Sequence, residues 1–153
     1  MGVRIGTGCR IYTQHFSTEP YLVRIGDRVG IAGGVKFLTH DGAAALLRRH
    51  GRRPGIQAFG TIEIGDDVFV GEDVILLPGT VIGAGSIVVA GSVVRGRIAP
   101  NSLVAGNPAT VIGRASLYLA RLERSPDALD TLSLPERERR AVLERHFFGE
   151  ERP

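Results

Sequence analysis

The sequence predicts an all-β fold: a parallel β-helix of hexapeptide repeats with one excursion loop and a C-terminal helical tail. Three observations lead there. Apolar residues recur every six positions, small residues hold a slot in fixed phase with them, and the 153 residues include 21 Gly but only 6% aromatics and no Trp. Many glycines in a chain poor in aromatics mean many tight turns.

The phase is clearest between Ile64 and Arg95, where Ile64, Val70, Leu76, Ile82, Val88 and Val94 fall six apart. Small or β-branched residues occupy the slot four later, at Val68, Val74, Thr80, Ser86 and Ser92, and glycine follows the large residue at Gly65, Gly71 and Gly83. A helix would repeat near 3.6 and a half-buried strand at two, so a β-sandwich of short strands does not account for a phase kept through these repeats. Each hexad supplies one short strand and a turn, and three hexads make a triangular coil of about 18 residues that stacks on the next by parallel pairing. The large residues are expected to point inward, and the small slot to let each corner close.

From the N-terminus, Ile5 and Ile11 open the frame and Ile25, Ile31 and Phe37 resume it. The stretch between them, "FSTEPY" at 16–21, holds Pro20, which has no N–H to give a ladder and should bulge at a corner. Residues 41–61, "DGAAALLRRHGRRPGIQAFGT", lose the period and leave the coil as an excursion; loops that long in a compact fold are usually functional. After "NSLVAGNPATVI" the composition changes. "ASLYLARLE" from Ala115 and "PERERRAVLERHFF" read as helices, the second opened by Pro135 and ended by Gly149. The expected organisation is therefore a β-helix domain at 1–114 and a helical tail at 115–153. The tail's Glu136, Arg137, Glu138, Arg139 and Arg140 read as a solvated face, with the tail capping the open coil or packing on a neighbouring subunit.

Composition narrows the function classes. Hydrophobic residues at 43% and charged residues at 23% are ordinary for a soluble domain. No apolar run approaches the ~18 residues of a membrane span, and no basic-then-apolar leader opens the chain, so a cytoplasmic protein without membrane insertion is expected. The single Cys9 cannot form an internal disulfide. A net charge of +3 without a lysine block argues against nucleic acid.

The segments "FSTEPYLVRIGDRVGIAGGVKFLTHDG", "IEIGDDVFVGEDVILLPGTVIGAGSIVVAGSVV" and "NSLVAGNPATVI" resemble the hexapeptide-repeat acyltransferases. Within these the chain looks like the maltose/galactoside O-acetyltransferase type, closest to the branch found in surface-polysaccharide biosynthesis. The likeness covers about residues 3–114 and leaves the tail outside. It implies a left-handed coil, a homotrimer with active sites between subunits, acetyl-CoA as acyl donor and no metal.

By this resemblance His40, in "THDG", is the general base. Acetyl transfer from a thioester to a sugar hydroxyl must remove a proton from a barely acidic group, and an imidazole, with an ordinary pKa of about 6.5, suits that task. Two carboxylates compete to orient the ring: Asp41, which as a strand neighbour of His40 faces the other way unless the chain has turned, and Glu19, which could instead bind the acceptor. The backbone amide of Glu72 is implied as an oxyanion donor. Tyr12 and His15 break the six-residue code where small residues are expected, and with Gln14 they are candidates to line an acceptor pocket. Phe69 stands where relatives often carry Trp beside the acceptor. Gly71, Pro78, Ala90, Gly91, Asn107 and Pro108 fall at cofactor positions, with Arg95, Arg97 and Arg114 as phosphate partners. One departure from the pattern is "RGR" at 95–97, where many relatives have a Thr-Lys-Asp stretch; Gly96 replaces the usual lysine.

Direct transfer needs no covalent intermediate, and Cys9 falls in a repeating small slot rather than at a nucleophile's position. Two other functions remain open. A non-catalytic scaffold would use the same repeats as a surface. A zinc carbonic anhydrase on the same coil needs three clustered histidines, whose spacing His15, His40 and His50 do not show. The acceptor stays open between sugar nucleotide, lipid-linked glycan, free sugar and antibiotic hydroxyl, and the acyl group between acetyl and longer chains.

Overall fold

A computed structural model describes residues 2–149. The chain winds through short strands, up to three to a coil and one on each face. The first coil contributes β1 (Arg4–Ile5) and β2 (Arg10–Ile11), and the second β3 (Val23–Ile25), β4 (Gly30–Ile31) and β5 (Lys36–Phe37). Then β6 (His40–Asp41) leads out to α1 (Ala44–Arg49) and β7 (Ala58–Phe59), which returns antiparallel to β6. Winding resumes with β8 (Ile62–Ile64), β9 (Phe69–Val70) and β10 (Ile75–Leu76), then β11 (Val81–Ile82), β12 (Ile87–Val88) and β13 (Val93–Val94). It closes with β14 (Arg97–Ile98), β15 (Ser102–Gly106) and β16 (Ala109–Arg114).

Three sheets form the sides of the prism: β1-β3-β8-β11-β14, β2-β4-β9-β12-β15-β16 and β5-β10-β13. Pairing within them is parallel except for the terminal β15–β16 hairpin. The register follows the repeat. Ile64 pairs with Ile82, 18 positions on, as three hexads require. Ile82 pairs with Ile98, only 16 on, because the final coil loses two residues at the "RGR" corner.

Both slots of the repeat face inward. Ile25, Ile31, Phe37, Ile64, Val70, Leu76, Ile82, Val88 and Val94 are buried, and so are Val68, Val74, Thr80, Ser86 and Ser92. Polar residues are tolerated there because they satisfy corner carbonyls. Thr80 Oγ1 lies 2.7 Å from Leu77 O and 3.0 Å from Val94 O, and Ser92 Oγ donates to Val89 O at 2.6 Å. Ile5 departs from the expectation: it is 47% exposed, since β1 is an edge strand with a neighbour on one side only. Glycine after the large residue is a matter of clearance. A Cβ on Gly65 would sit 2.7 Å from Ala84 N in the next coil. Gly65→Ala is expected to cost about 1–3 kcal/mol of stability, read as a shift of the urea midpoint at constant slope.

The "FSTEPY" corner slips the phase. Thr13 and Phe16, not His15, turn inward: Thr13 Oγ1 donates to Val35 O at 2.6 Å, and Phe16 packs on Phe37 at 4.8 Å between ring centroids. A short 3-10 turn at Pro20–Leu22 then returns the chain to β3.

The chain divides into two compact units at the Leu119/Ala120 junction. The helix α2 (Ala115–Glu123) begins in the first unit, where Ala115 is fully buried. In the second, α3 (Glu136–Phe148) follows Pro135 and ends at Gly149, has no buried residue, and pairs Arg140 with Glu144 at 2.7 Å. Among the described residues no helix is long and apolar enough to cross a membrane.

Candidate active site

Strand alternation carries the chain out of β5. Phe37 and Thr39 are buried, while Leu38 and His40 face outward, so His40 emerges at a corner with its neighbour anchored inside. The coil below brings in the "FSTEP" turn. Glu19 Oε2 lies 3.1 Å from His40 Nδ1 and accepts from Thr39 Oγ1 at 2.8 Å, and Glu19 Oε1 accepts from Thr18 Oγ1 at 2.6 Å. Ser17 Oγ and Thr18 Oγ1 stand 3.4 and 3.3 Å from the same ring nitrogen.

These donors hold the Glu19 carboxyl below its ordinary pKa, the Thr18 hydroxyl most, with Thr39 and His40 adding to it against partial desolvation. The glutamate is thus ionised and can only accept. In the neutral ring this puts the proton on Nδ1, and among the described residues Nε2 has no hydrogen-bond partner. Glu19 is 15% exposed and His40 45%.

His40 lies between two clefts. One, of about 270 Å³, has Glu19 and Asp41 on one side and Arg48, Gln57 and Phe59 from the excursion on the other. The second, of about 340 Å³, runs past Leu38, Leu77, Pro78 and Arg95. A third, of about 360 Å³, is lined by Gln14, His15 and Lys36 and shares Leu38 with the second.

Of the two carboxylates considered for orienting His40, Glu19 reaches the ring, whereas Asp41 Oδ1 accepts from Ala43 N at 2.9 Å and ties down the start of the excursion. Of the residues at cofactor positions, Pro78 and Arg95 share a cleft with His40. Gln14 and His15 line the third cleft. Tyr12 is 73% exposed. Phe69 is not a core residue: it lies over Gly30 and is 50% exposed. Gly71 is buried, and Glu72 is exposed with its carbonyl accepting from Gly91 N at 2.8 Å. Glu72, Phe69, Gly71, Ala90, Gly91, Arg97, Asn107, Pro108 and Arg114 line neither of the clefts that His40 lines in one chain. Asn107 and Pro108 form the β15–β16 turn, and Arg114 ends β16.

Sequence reasoning missed Thr18, Thr39, Arg48 and Phe59. Thr39 had a signal, since strand alternation continued from Phe37 turns it inward beside His40. Phe59 had none, since only the return of β7 sets it opposite His40. Among the described residues no three His, Cys, Asp or Glu side chains gather as a metal site.

Comparison with known proteins fits this architecture. Residues 61–96 match the family described as bacterial transferase hexapeptide (six repeats). A Staphylococcus aureus protein named CapG is 39% identical over 140 residues, covering 90% of this chain and 80% of that protein. A hexapeptide-repeat-containing acetyltransferase of Vibrio cholerae superposes with TM-score 0.64 at 32% identity, over 74% of this chain and 63% of its own. A maltose O-acetyltransferase of Clostridium difficile does so with TM-score 0.57 at 31% identity, over 74% and 59%. This chain thus spans about three fifths of those two solved chains. With its repeat register and these relatives, the chain belongs to the hexapeptide-repeat acyltransferase family.

Proposed function

We propose that the protein transfers an acetyl group from acetyl-CoA to a hydroxyl of a sugar or glycan precursor, directly and with His40 as general base. The observation that carries this reading is the ring's position: Nδ1 held by Glu19, Nε2 free, and a cleft on each side. The second cleft suits the donor. Leu38, Leu77 and Pro78 offer an apolar strip for a pantetheine arm, and Arg95 offers a fork for phosphate, with Arg97 and Arg114 further candidates. When bound, acetyl-CoA supplies an activated acyl carbon on a thiolate leaving group.

His40 Nε2 takes the proton of the acceptor hydroxyl as its oxygen bonds to the acyl carbon. The charge that develops on the carbonyl oxygen needs a fixed donor, a role the Glu72 amide fills in this reading. As the C–S bond breaks, the imidazolium returns its proton to the departing sulfur, while the Glu19 carboxylate stabilises the cation through Nδ1–H.

The assembly that goes with this reading is a homotrimer of left-handed coils. Its support is the outward rows of the prism. The β1 side exposes Arg4, Arg24, Glu63, Val81 and Arg97, a water-facing set. The other two sides are more apolar, with Phe69, Ile87 and Leu103 beside Arg10 and Gly30 on one and Ile75 and Val93 beside Lys36 on the other. Packing one such side against the other of a second copy is a heterologous contact, which makes a ring where its rotation closes and a trimer where three copies complete the turn. It would carry the Phe69 and Glu72 side of one subunit toward the His40 corner of its neighbour. Reliance on acetyl-CoA fits a cytoplasmic enzyme, and surface-polysaccharide precursors are the acceptor class this reading favours.

The test is to incubate the protein with acetyl-CoA and a sugar panel, follow thiol release and weigh the products. A sugar gaining one acetyl group is the expected result. Binding of the panel and of acetyl-CoA without thiol release would leave the scaffold reading in its place.

A further inference from the structure

Among the described residues six hydroxyl side chains are buried: Thr13, Thr39, Thr80, Ser86, Ser92 and Ser102. All but Thr39 donate to backbone carbonyls. That is the ordinary use of a polar group inside the coil, where it satisfies a corner. Thr39 departs from it. Its Oγ1–H meets a side chain instead, Glu19 Oε2, at 2.8 Å.

The two threonines that donate to Glu19 are not equivalent. Thr18 reaches Oε1 at 2.6 Å, but it is the chain neighbour of Glu19 and travels with it. Thr39 is the chain neighbour of His40, is fully buried, and joins Glu19 across 20 positions of sequence. A bond from a side chain held in the core places the carboxylate relative to the backbone that carries the imidazole. One lone pair of Oε2 then faces Thr39 and the other is left for Nδ1, 3.1 Å away. Turning the carboxylate away from the ring would break the Thr39 bond and leave a hydroxyl in the interior without its acceptor, which is unfavourable. Thr18 lowers the Glu19 pKa most, and the Thr39 bond adds to it against partial desolvation.

Resting on the assignment of His40 as general base, we infer that Thr39 is a positioning residue for that base. Its buried hydroxyl sets the Glu19 carboxylate against Nδ1, which keeps the ring proton there and leaves Nε2 bare for the acceptor hydroxyl. Thr39 acts only through Glu19.

Thr39→Val removes the hydroxyl and keeps the shape, while Thr39→Ser keeps the hydroxyl. In steady-state thiol release with a sugar that the protein acetylates, Thr39→Val is expected to lower kcat about tenfold with KM for acetyl-CoA unchanged, and Thr39→Ser to recover most of the loss. In the Glu19→Gln background Thr39→Val should lower kcat no further, because the group it acts through is gone. A purely structural role would take the same factor from both backgrounds. The ring also gives a reading that needs no turnover: nitrogen NMR of labelled histidine at a pH where the ring is neutral, with His40 identified by its absence from His40→Ala. The wild type should show the Nδ1–H tautomer and Thr39→Val a mixture with Nε2–H. Wild-type kcat in Thr39→Val, an equal loss in Thr39→Ser, a full further loss in the Glu19→Gln background or an unchanged tautomer would each overturn the inference. Should no sugar be acetylated, or His40→Ala keep its turnover, the base assignment falls by itself, and the tautomer still reads whether Thr39 sets the ring.

Discussion

Replacing His40 by alanine is expected to lower kcat about 10²- to 10⁴-fold while acetyl-CoA binding holds. The acceptor hydroxyl gives up its proton unaided only at high pH, and the carboxylates at that corner are far weaker bases than an imidazole by their ordinary pKa values. Glu19 Oε2 is already engaged by Thr39 Oγ1 and by the ring, and Asp41 Oδ1 by the Ala43 amide. His40 is 45% exposed, so the fold should survive its loss. Steady-state thiol release with a saturating acceptor, beside calorimetric titration of CoA, separates the two effects. Turnover within a few-fold of wild type would remove His40 from the reaction.

Glu19→Gln should be the second largest effect, a fall in kcat of about 10² with little change in KM for acetyl-CoA. The substitution keeps size and removes charge. A glutamine can offer its NH₂ to Nδ1, which turns that nitrogen into the acceptor and puts the proton on Nε2, where the base must be bare. It also strips the imidazolium of its counter-charge when the proton arrives. Glu19→Asp keeps the carboxylate on a shorter arm and should recover part of the loss, a pattern that mere unfolding of the corner would not give. The ionised Glu19 holds the site at every pH above the usual carboxylate range of about 4.3, because its pKa is lowered. Its contribution is lost only as pH falls below that range, so an activity loss nearer neutrality must come from another group. Wild-type-like turnover in Glu19→Gln would show that the contact is structural.

The repeat itself was legible residue by residue. From Ile25 to Val94 the inward slots marked by the period are buried, and the corner glycines stand where the next coil leaves no room for a Cβ. The excursion was legible as a loss of period, but not its contents. The six residues of α1 are too few to give a helical period, and β7 has two residues and no alternation to detect. At the first coil the break in the code at His15 was legible, but not that Thr13 and Phe16 fill the interior in its place.

The site divides the same way. The likeness to a known motif singled out His40, yet choosing its partner between Glu19 and Asp41 required coordinates. Strand alternation faced Asp41 away unless the chain had turned, and stacking of one coil's corner over the next gave the contact to Glu19, 21 positions away. What the amino-acid order determined by itself is the coil, because inward slots six apart are a local property that every repeat states again. What only the tertiary structure decided is the chemistry at its corner: the carboxylate that fixes the imidazole, the phenyl ring across from it and the arginine beside it come from three separated segments. Their meeting depends on how turns stack and how a loop returns, and no local period encodes that.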